Sequence, residues 1–479
     1  MLRPWTLDIE IDKSATKPIY LQIADIIIES IKSGRLPKGT ALPGSRTLAN
    51  SLQVNRNTVI EAIQVLLNEE WLTSQERRGT FVSHNLPISS KSKSLQTESG
   101  IVPEPQLPVH IPFDDGHPDS KIAPVDQLGR AYRQIFKRNA RWKMMGYSET
   151  NGNLDFRKAI ASMLNQERNM QLHENQLCIT RGSQMAMYLV SQCLLRPGDY
   201  VIVESPGYSS AWKTFEKAGA NLIYIPVDSD GIVVEDILPH LASNPKIKAI
   251  YLTPHRQYPT TVTLSLQRRL ELVSLSNQYQ FTIIEDDYDY EFHFGYRPLQ
   301  PISAFSELEN VVYIGTLSKV VAPALRIGYL ATKNQKLLDS IIDLRRIIDI
   351  QGDSIMEQAV LELIKDGTIK RHIRKATLHY QSRQSYMVKM LDEHLATQVS
   401  YHIPQGGLAF WICPKYPVNW TMVFDRLTEK SISILHPSNY YEHTGYEGLR
   451  LGYGSVSEEQ IKEGIMALAD ILAKARLAE

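Results

Sequence analysis

Residues 177–227 read LCITRGSQMAMYLVSQCLLRPGDYVIVESPGYSSAWKTFEKAGANLIYIPV. Short apolar runs (LCIT, DYVIVE, NLIYIPV) alternate with amphipathic stretches (SQMAMYLVSQCLL, SAWKTFEKAG). This rhythm predicts βαβ units and a mostly parallel sheet covered by helices on both faces. Ligands of such sheets bind beyond the carboxyl ends of the strands, so the residues that follow each strand become the candidates.

Four strand ends carry polar residues. After LCIT come Arg181, Gly182, Ser183 and Gln184, where backbone N–H groups and a hydroxyl at a helix start can receive a phosphate. VIVES is followed by Pro206, Gly207 and Tyr208, whose ring can cover a flat group. FTII leads into Glu285, Asp286, Asp287 and Tyr288, three carboxylates that repel one another unless a cation joins them. VVYIGT leads into Leu317, Ser318 and Lys319, with Arg326 seven residues on. Each feature alone is ordinary turn or surface chemistry. Together, a phosphate cradle, an aromatic face, an acid, a phenol, a lysine and a second arginine are what pyridoxal 5′-phosphate requires of a protein.

Outward toward the N-terminus, residues 86–108 (LPISSKSKSLQTESGIVPEPQLP) lose all apolar period. They read as a linker, part of a boundary segment at 86–110 that separates a domain at 1–85 from one at 111–479. In the first domain Ile19, Ile23, Ile26, Ile27 and Ile31 fall at helical spacing, and Gly34 stops the helix. Ser45 is expected to cap a short helix through Leu52, and a second helix is expected from about Asn57 to Glu70. WLTSQERRGTFVSH then reads as a hairpin with Arg77 and Arg78 at its tip. A helix-turn-helix followed by a wing is a DNA reader, so Arg46, Asn55, Arg56, Asn57, Thr58, Arg77 and Arg78 are the expected contacts to double-stranded DNA. Residues 1–93 carry about three more basic than acidic side chains, a mild footprint of the same kind.

The remaining arithmetic excludes more than it identifies. The chain has 479 residues, with 52 basic side chains against 52 acidic ones, 43% hydrophobic and 22% charged. That is an ordinary globular composition, and no uniform polycation. Cys178, Cys193 and Cys413 stand far apart, which gives neither a disulfide framework nor a cysteine metal site. The thirteen histidines show no ligand spacing, and no nucleotide-binding or serine-hydrolase motif occurs. The start MLRPWTLDIEIDK lacks signal-peptide character and no apolar run is long enough for a bilayer, so a cytoplasmic location without membrane contact is expected.

The stretch from Pro18 to Val82 resembles the winged-helix domain of the GntR regulator family over nearly its whole length. From about Phe113 onward the chain resembles fold-type I aminotransferases, and the combination resembles MocR/GabR-type bacterial regulators. The resemblance implies an α/β fold, in which an N-terminal winged helix-turn-helix is joined by a linker to a fold-type I aminotransferase-like domain. It also implies a homodimer that binds pyridoxal 5′-phosphate. By motif, Lys319 in GTLSK resembles the lysine that carries the cofactor, and Asp286 the partner of the pyridine nitrogen. Tyr288 resembles the phenol on the ring hydroxyl, and Tyr208 the stacking aromatic. Gly182, Ser183, Gln184, Thr316 and Arg326 match the phosphate site, while Tyr147 matches a tyrosine lent to the neighbouring subunit. Arg450 in LRLGYGS matches the arginine that receives a substrate α-carboxylate.

The chain departs from the subfamily in TPHRQYPTT, where His255, Arg256 and Thr261 replace the more usual serine, histidine and glycine. Ser209 and Ser210 stand where an effector-binding arginine occurs. Arg256 is either an alternative carboxylate contact or a structural salt bridge, and His436 and Tyr440 fall in a candidate effector loop. The implied function is a regulator that senses the cofactor, an amine or an amino acid through external aldimine formation. The alternatives are a working aminotransferase with a DNA-binding domain, or a plain repressor whose second domain is vestigial.

Overall fold

A computed structural model describes residues 11–12, 14–75, 78–87, 109–137, 145–295, 298–442 and 448–477. The chain forms two compact units that divide between Glu104 and Pro105, inside the expected linker, most of which lies outside the described residues.

In the first unit, α1 (Ile19–Lys32), α2 (Ser45–Leu52) and α3 (Arg56–Asn68) precede β1 (Leu72–Gln75) and β2 (Gly79–Val82). Ile23, Ile27 and Ile31 line one stripe of α1 and pack with Leu48 of α2 and Val59, Ala62 and Leu66 of α3. The strands pair antiparallel from Leu72↔Val82 to Gln75↔Gly79, which makes the wing. Ser45 does not cap α2. Gly44 holds the cap position without a side-chain bond, and the Ser45 hydroxyl accepts from Arg56 Nε at 3.4 Å instead. Asn55 caps α3 by accepting from the Asn57 N–H at 2.9 Å, one residue earlier than the sequence suggested.

The second unit is built on eight strands: β4 (Leu177–Thr180), β5 (Tyr200–Ser205), β6 (Asn221–Asp228), β7 (Gly231–Ile232), β8 (Ile247–Leu252), β9 (Thr282–Asp287), β10 (Val311–Thr316) and β11 (Gly328–Thr332). Their order is β4-β11-β10-β9-β8-β5-β6-β7. The β6-β5-β8-β9-β10 core is parallel, as the βαβ rhythm requires. Strand alternation serves both faces: Val201 and Val203 of β5 join one core, while Ile202 joins the other. At the far edge β7 pairs antiparallel with β6, and β11 runs antiparallel to both of its neighbours. Its first residue therefore lies at the edge where its neighbours β4 and β10 end.

A second layer closes the chain's end. β12 (Val399–Tyr401), β13 (Ala409–Pro414) and β15 (Leu449–Gly452) form an antiparallel sheet, and β3 (Ile111–Phe113) runs parallel to β14 (Ile432–Ile434). Helices Thr368–His394, Trp420–Glu429 and Glu458–Lys474 cover these strands over one core. Among the described residues no helix is long and apolar enough to cross a membrane.

Candidate active site

Strand alternation divides the acidic run of β9. Glu285 and Asp287 point to one face and Asp286 to the other. Glu285 accepts from the Ile302 and Ser303 N–H groups at 2.9 and 2.8 Å. Asp287 accepts from the Tyr313 hydroxyl at 2.5 Å and pairs with Arg168 at 3.7 Å. The expected cation thus serves Asp287. Asp286 receives only the Tyr251 hydroxyl, on Oδ2 at 2.8 Å, while its Oδ1 is buried without a hydrogen-bond partner. Burial pushes the Asp286 carboxyl up to about 7, with Asp287 adding to the rise and Lys319 opposing it.

Asp286 lines a cavity of about 200 Å³ at the strand ends, together with Ser183, Tyr208, Tyr288, Thr316, Lys319 and Arg326. Seven of the residues singled out from sequence therefore meet in one place. Lys319 is half-buried, and desolvation lowers its ammonium below the usual range against the opposing pull of Asp289. Its Nζ lies 4.5 Å from the centre of the Tyr288 ring and donates to Gly116 O at 3.1 Å.

The phosphate-like corner is shaped by close approach. Gly182 opens the helix α4 (Gly182–Leu194) at φ +77, and a Cβ there would lie 2.6 Å from Arg326 Nη2. Glycine is needed both for that backbone and for the guanidinium beside it. Arg181, at the cap position of α4, makes no side-chain cap, so the first-turn N–H groups keep their capacity for an anion. Arg326 reaches this corner because β11 is reversed. The Thr316 hydroxyl donates to Ile327 O at 3.0 Å and accepts from Ser318 N at 3.1 Å, holding the connection that carries Lys319.

Four of the cofactor- and effector-site residues expected from sequence lie off the cavity wall: Gly182, whose place is described above, and Gln184, Tyr147 and Arg450. The Gln184 side chain donates to Ser210 O at 3.1 Å and accepts from the Tyr208 hydroxyl at 3.4 Å, so it supports the stacking ring from behind. Tyr147 is 84% exposed and does not line its own chain's cavity. Arg450 is buried behind Tyr258, 5.0 Å from that ring's centre, and donates to the Tyr288 hydroxyl at 3.4 Å. Arg256 is a structural ion pair: it is buried, faces Asp289 at 3.4 Å and donates to the carbonyls of Asp289 and Phe292. Thr261 holds the left-handed φ of +65 at a position where glycine is usual, fixed by its N–H to Gln257 O at 2.7 Å and its hydroxyl beside His402 Nε2 at 3.1 Å. Tyr440 packs edge-on to Tyr258 and Trp411, and His436 caps the short turn at Pro437–Asn439.

Sequence reasoning missed Tyr251 and Asp115. Tyr251 sits inside an apolar strand, where a tyrosine reads as core. Asp115 follows a short strand that carries no βαβ signal. Of the expected DNA contacts, Arg46, Asn55, Arg56, Asn57 and Arg78 are exposed and Thr58 half-buried, while Arg77 lies outside the described residues. Among the described residues no cluster of histidine, cysteine or acid could hold a metal.

Residues 114–468 match the family described as aminotransferase class I and II. The chain belongs to that family. Residues 19–82 match the bacterial regulatory proteins of the gntR family, a helix-turn-helix group that implies DNA binding. Both parts together occur in similar full-length regulators. A probable rhizopine catabolism regulatory protein, MocR of Rhizobium meliloti, is 27% identical over 96% of this chain and 94% of its own. The pyridoxine biosynthesis transcriptional regulator PdxR of Corynebacterium glutamicum is 28% identical over 98% and 99%. Among solved structures, a Pyrococcus horikoshii kynurenine aminotransferase in complex with PMP superposes with a TM-score of 0.72 at 26% identity, covering 77% of this chain and 92% of that one. The domain architecture is thus that of MocR- and PdxR-type regulators: a GntR helix-turn-helix before a fold-type I aminotransferase domain with a mostly parallel sheet.

Proposed function

We propose that the chain is a cytoplasmic, homodimeric transcription regulator that holds pyridoxal 5′-phosphate at Lys319 and binds an amine or amino acid there. The observation that carries this reading is the buried, unpaired Asp286 Oδ1 in the same cavity as Lys319, a half-buried lysine whose ammonium pKa is lowered by desolvation. A neutral amine at Lys319 is the form that attacks a carbonyl, and burial favours it. A carboxylate near 7 lacks a cation, and a protonated ring nitrogen would supply one. When bound, the cofactor provides an aldehyde that condenses with primary amines and a ring that withdraws electrons.

The chain's own residues divide the remaining work. Tyr208 covers the ring, and Tyr288 meets its hydroxyl. Arg326, Thr316, Ser183 and the N–H groups of Gly182, Ser183 and Gln184 hold the phosphate. Tyr147, exposed on its own chain, reaches the phosphate of the second subunit. In the first unit, Arg56, Asn57 and Thr58 at the start of α3 approach base edges, with Arg46 on α2 and Arg77 and Arg78 on the wing against phosphates. Asn55, whose side-chain oxygen caps α3, positions that helix start rather than reading bases itself. An effector must bind two conformations unequally to change DNA affinity.

The test is the visible absorption spectrum of the purified protein before and after borohydride, with Lys319→Ala alongside. A reducible band absent from the variant is the expected result. No band after addition of pyridoxal 5′-phosphate would make the chain a repressor with a vestigial second domain. Retention of Lys319 and Asp286 also suits a working aminotransferase, and steady turnover of an amino donor with a keto acid would establish that reading instead.

A further inference from the structure

The arginine positioned to receive a carboxylate already has one. Asp115 Oδ1 faces Arg450 Nε at 3.2 Å, and Asp115 Oδ2 accepts from the Tyr258 hydroxyl at 2.6 Å. Arg450 Nη1 is committed to Pro259 O at 2.7 Å, and its guanidinium lies against the Tyr258 ring. Capture of a carboxylate by two parallel N–H groups needs a free edge of the guanidinium. Here the Nε edge and Nη1 are both taken.

Asp115 is held there by its backbone, not by a swinging side chain. Asp114 on one side accepts the N–H groups of Gly116 and His117 at 2.9 and 2.8 Å and the Ser455 hydroxyl at 2.6 Å. Gly452 of β15 donates to Asp114 O at 2.9 Å, and a Cβ at Gly452 would lie 2.3 Å from that oxygen. The loop is thus pinned flat against β15, and Asp115 forms part of the cavity wall. The other cations at the cavity, Lys319 and Arg326, serve the cofactor, and the His117 ring lies beside Asp114 at 3.5 Å. An α-carboxylate entering this site would meet an arginine already neutralised by Asp115 and would have to displace that acid.

We propose that Asp115 closes the carboxylate site of Arg450, so that the effector is a small primary amine bearing no carboxylate on its amine-bearing carbon. This rests on the cofactor reading above. The effector's nitrogen replaces Lys319 Nζ on the aldehyde carbon: the bond to the lysine breaks as the new one forms, and the effector's protons leave with the released lysine amine. No oxidation is involved.

The test uses full-length protein loaded with pyridoxal 5′-phosphate and freed of excess, with the shift of its visible band as readout. Matched pairs differ only by the carboxylate: ethylamine against L-alanine, and 2-phenylethylamine against L-phenylalanine. In the wild type each amine should reach half-saturation at a concentration at least about tenfold below its amino acid, the factor that 1.4 kcal/mol of discrimination gives. Asp115→Asn, nearly the same shape without the charge, should tighten the amino acids by about tenfold and leave the amines within about twofold. Amino acids saturating the wild type as readily as amines would overturn the proposal, and so would an unchanged ratio in a loaded Asp115→Asn. Should that variant fail to load, the wild-type pairs decide alone. A protein with no lysine-dependent band at all would remove the cofactor reading and this proposal with it, an outcome distinct from a normal band with an amino-acid preference.

Discussion

Asp286 is the residue whose protonation state links the site to the stability of the protein. Its carboxyl is raised to about 7 by burial, and the buried carboxyls of Glu204 and Glu291 are raised to about 7 for the same first reason. A carboxyl whose folded pKa lies above its unfolded value stabilises the fold most at low pH, and that contribution is lost as pH rises through the folded value. The cofactor-free protein should therefore melt at a lower temperature at pH 8 than at pH 6, by about 2–4 °C for each kcal/mol lost. A cation over Asp286 reverses its share. Pyridoxal 5′-phosphate should flatten the pH dependence, and Asp286→Asn should flatten it without the cofactor. Thermal melts across pH 5–8 check this, and an identical slope in Asp286→Asn would contradict it.

At the scale of elements, α3 makes the clearest separate prediction. Asn55→Ala removes a cap bond and should cost about 1 kcal/mol of stability in the first unit, read by chemical denaturation. Arg56→Ala should leave stability within about 0.5 kcal/mol and weaken operator binding in gel-shift titrations. Equal DNA affinity to wild type would remove Arg56 from the interface. Elements of this kind were legible because their signals are local: isoleucines at helical spacing, a turn, and a hairpin with a charged tip. The βαβ rhythm likewise announced the parallel core and the positions of Gly182, Tyr208, Asp286 and Lys319. What stayed hidden depends on pairing across the chain. Nothing in GYLAT reveals that β11 runs against its neighbours, yet that reversal brings Arg326 to the cavity. The run Glu285-Asp286-Asp287 looked like one repelling cluster until strand geometry gave each acid a different partner. Asp115 was invisible because its meaning depends on Arg450, which is 335 residues away.

For the whole molecule, assembly is the property most open to measurement. Tyr147 is exposed on its own chain, as are Ile347 and Ile348 at the end of helix Gln335–Asp349. Light scattering should give twice the chain mass, and Tyr147→Phe should weaken cofactor affinity by about tenfold while leaving that mass unchanged. A monomer that binds the cofactor at full strength would contradict both statements. Strand β3 bears on the cavity through its place in the chain. It is only three residues long, it is the first strand after the linker, and it is fastened at its entry by His110 N–H to Ser431 O at 2.9 Å. The residues that follow it at once are Asp114 and Asp115. The start of the second unit is thus fastened by a short parallel pair immediately before the acid that forms part of the cavity wall. An insertion or deletion between β3 and Asp115 would therefore shift the cavity wall while leaving the rest of the sheet intact.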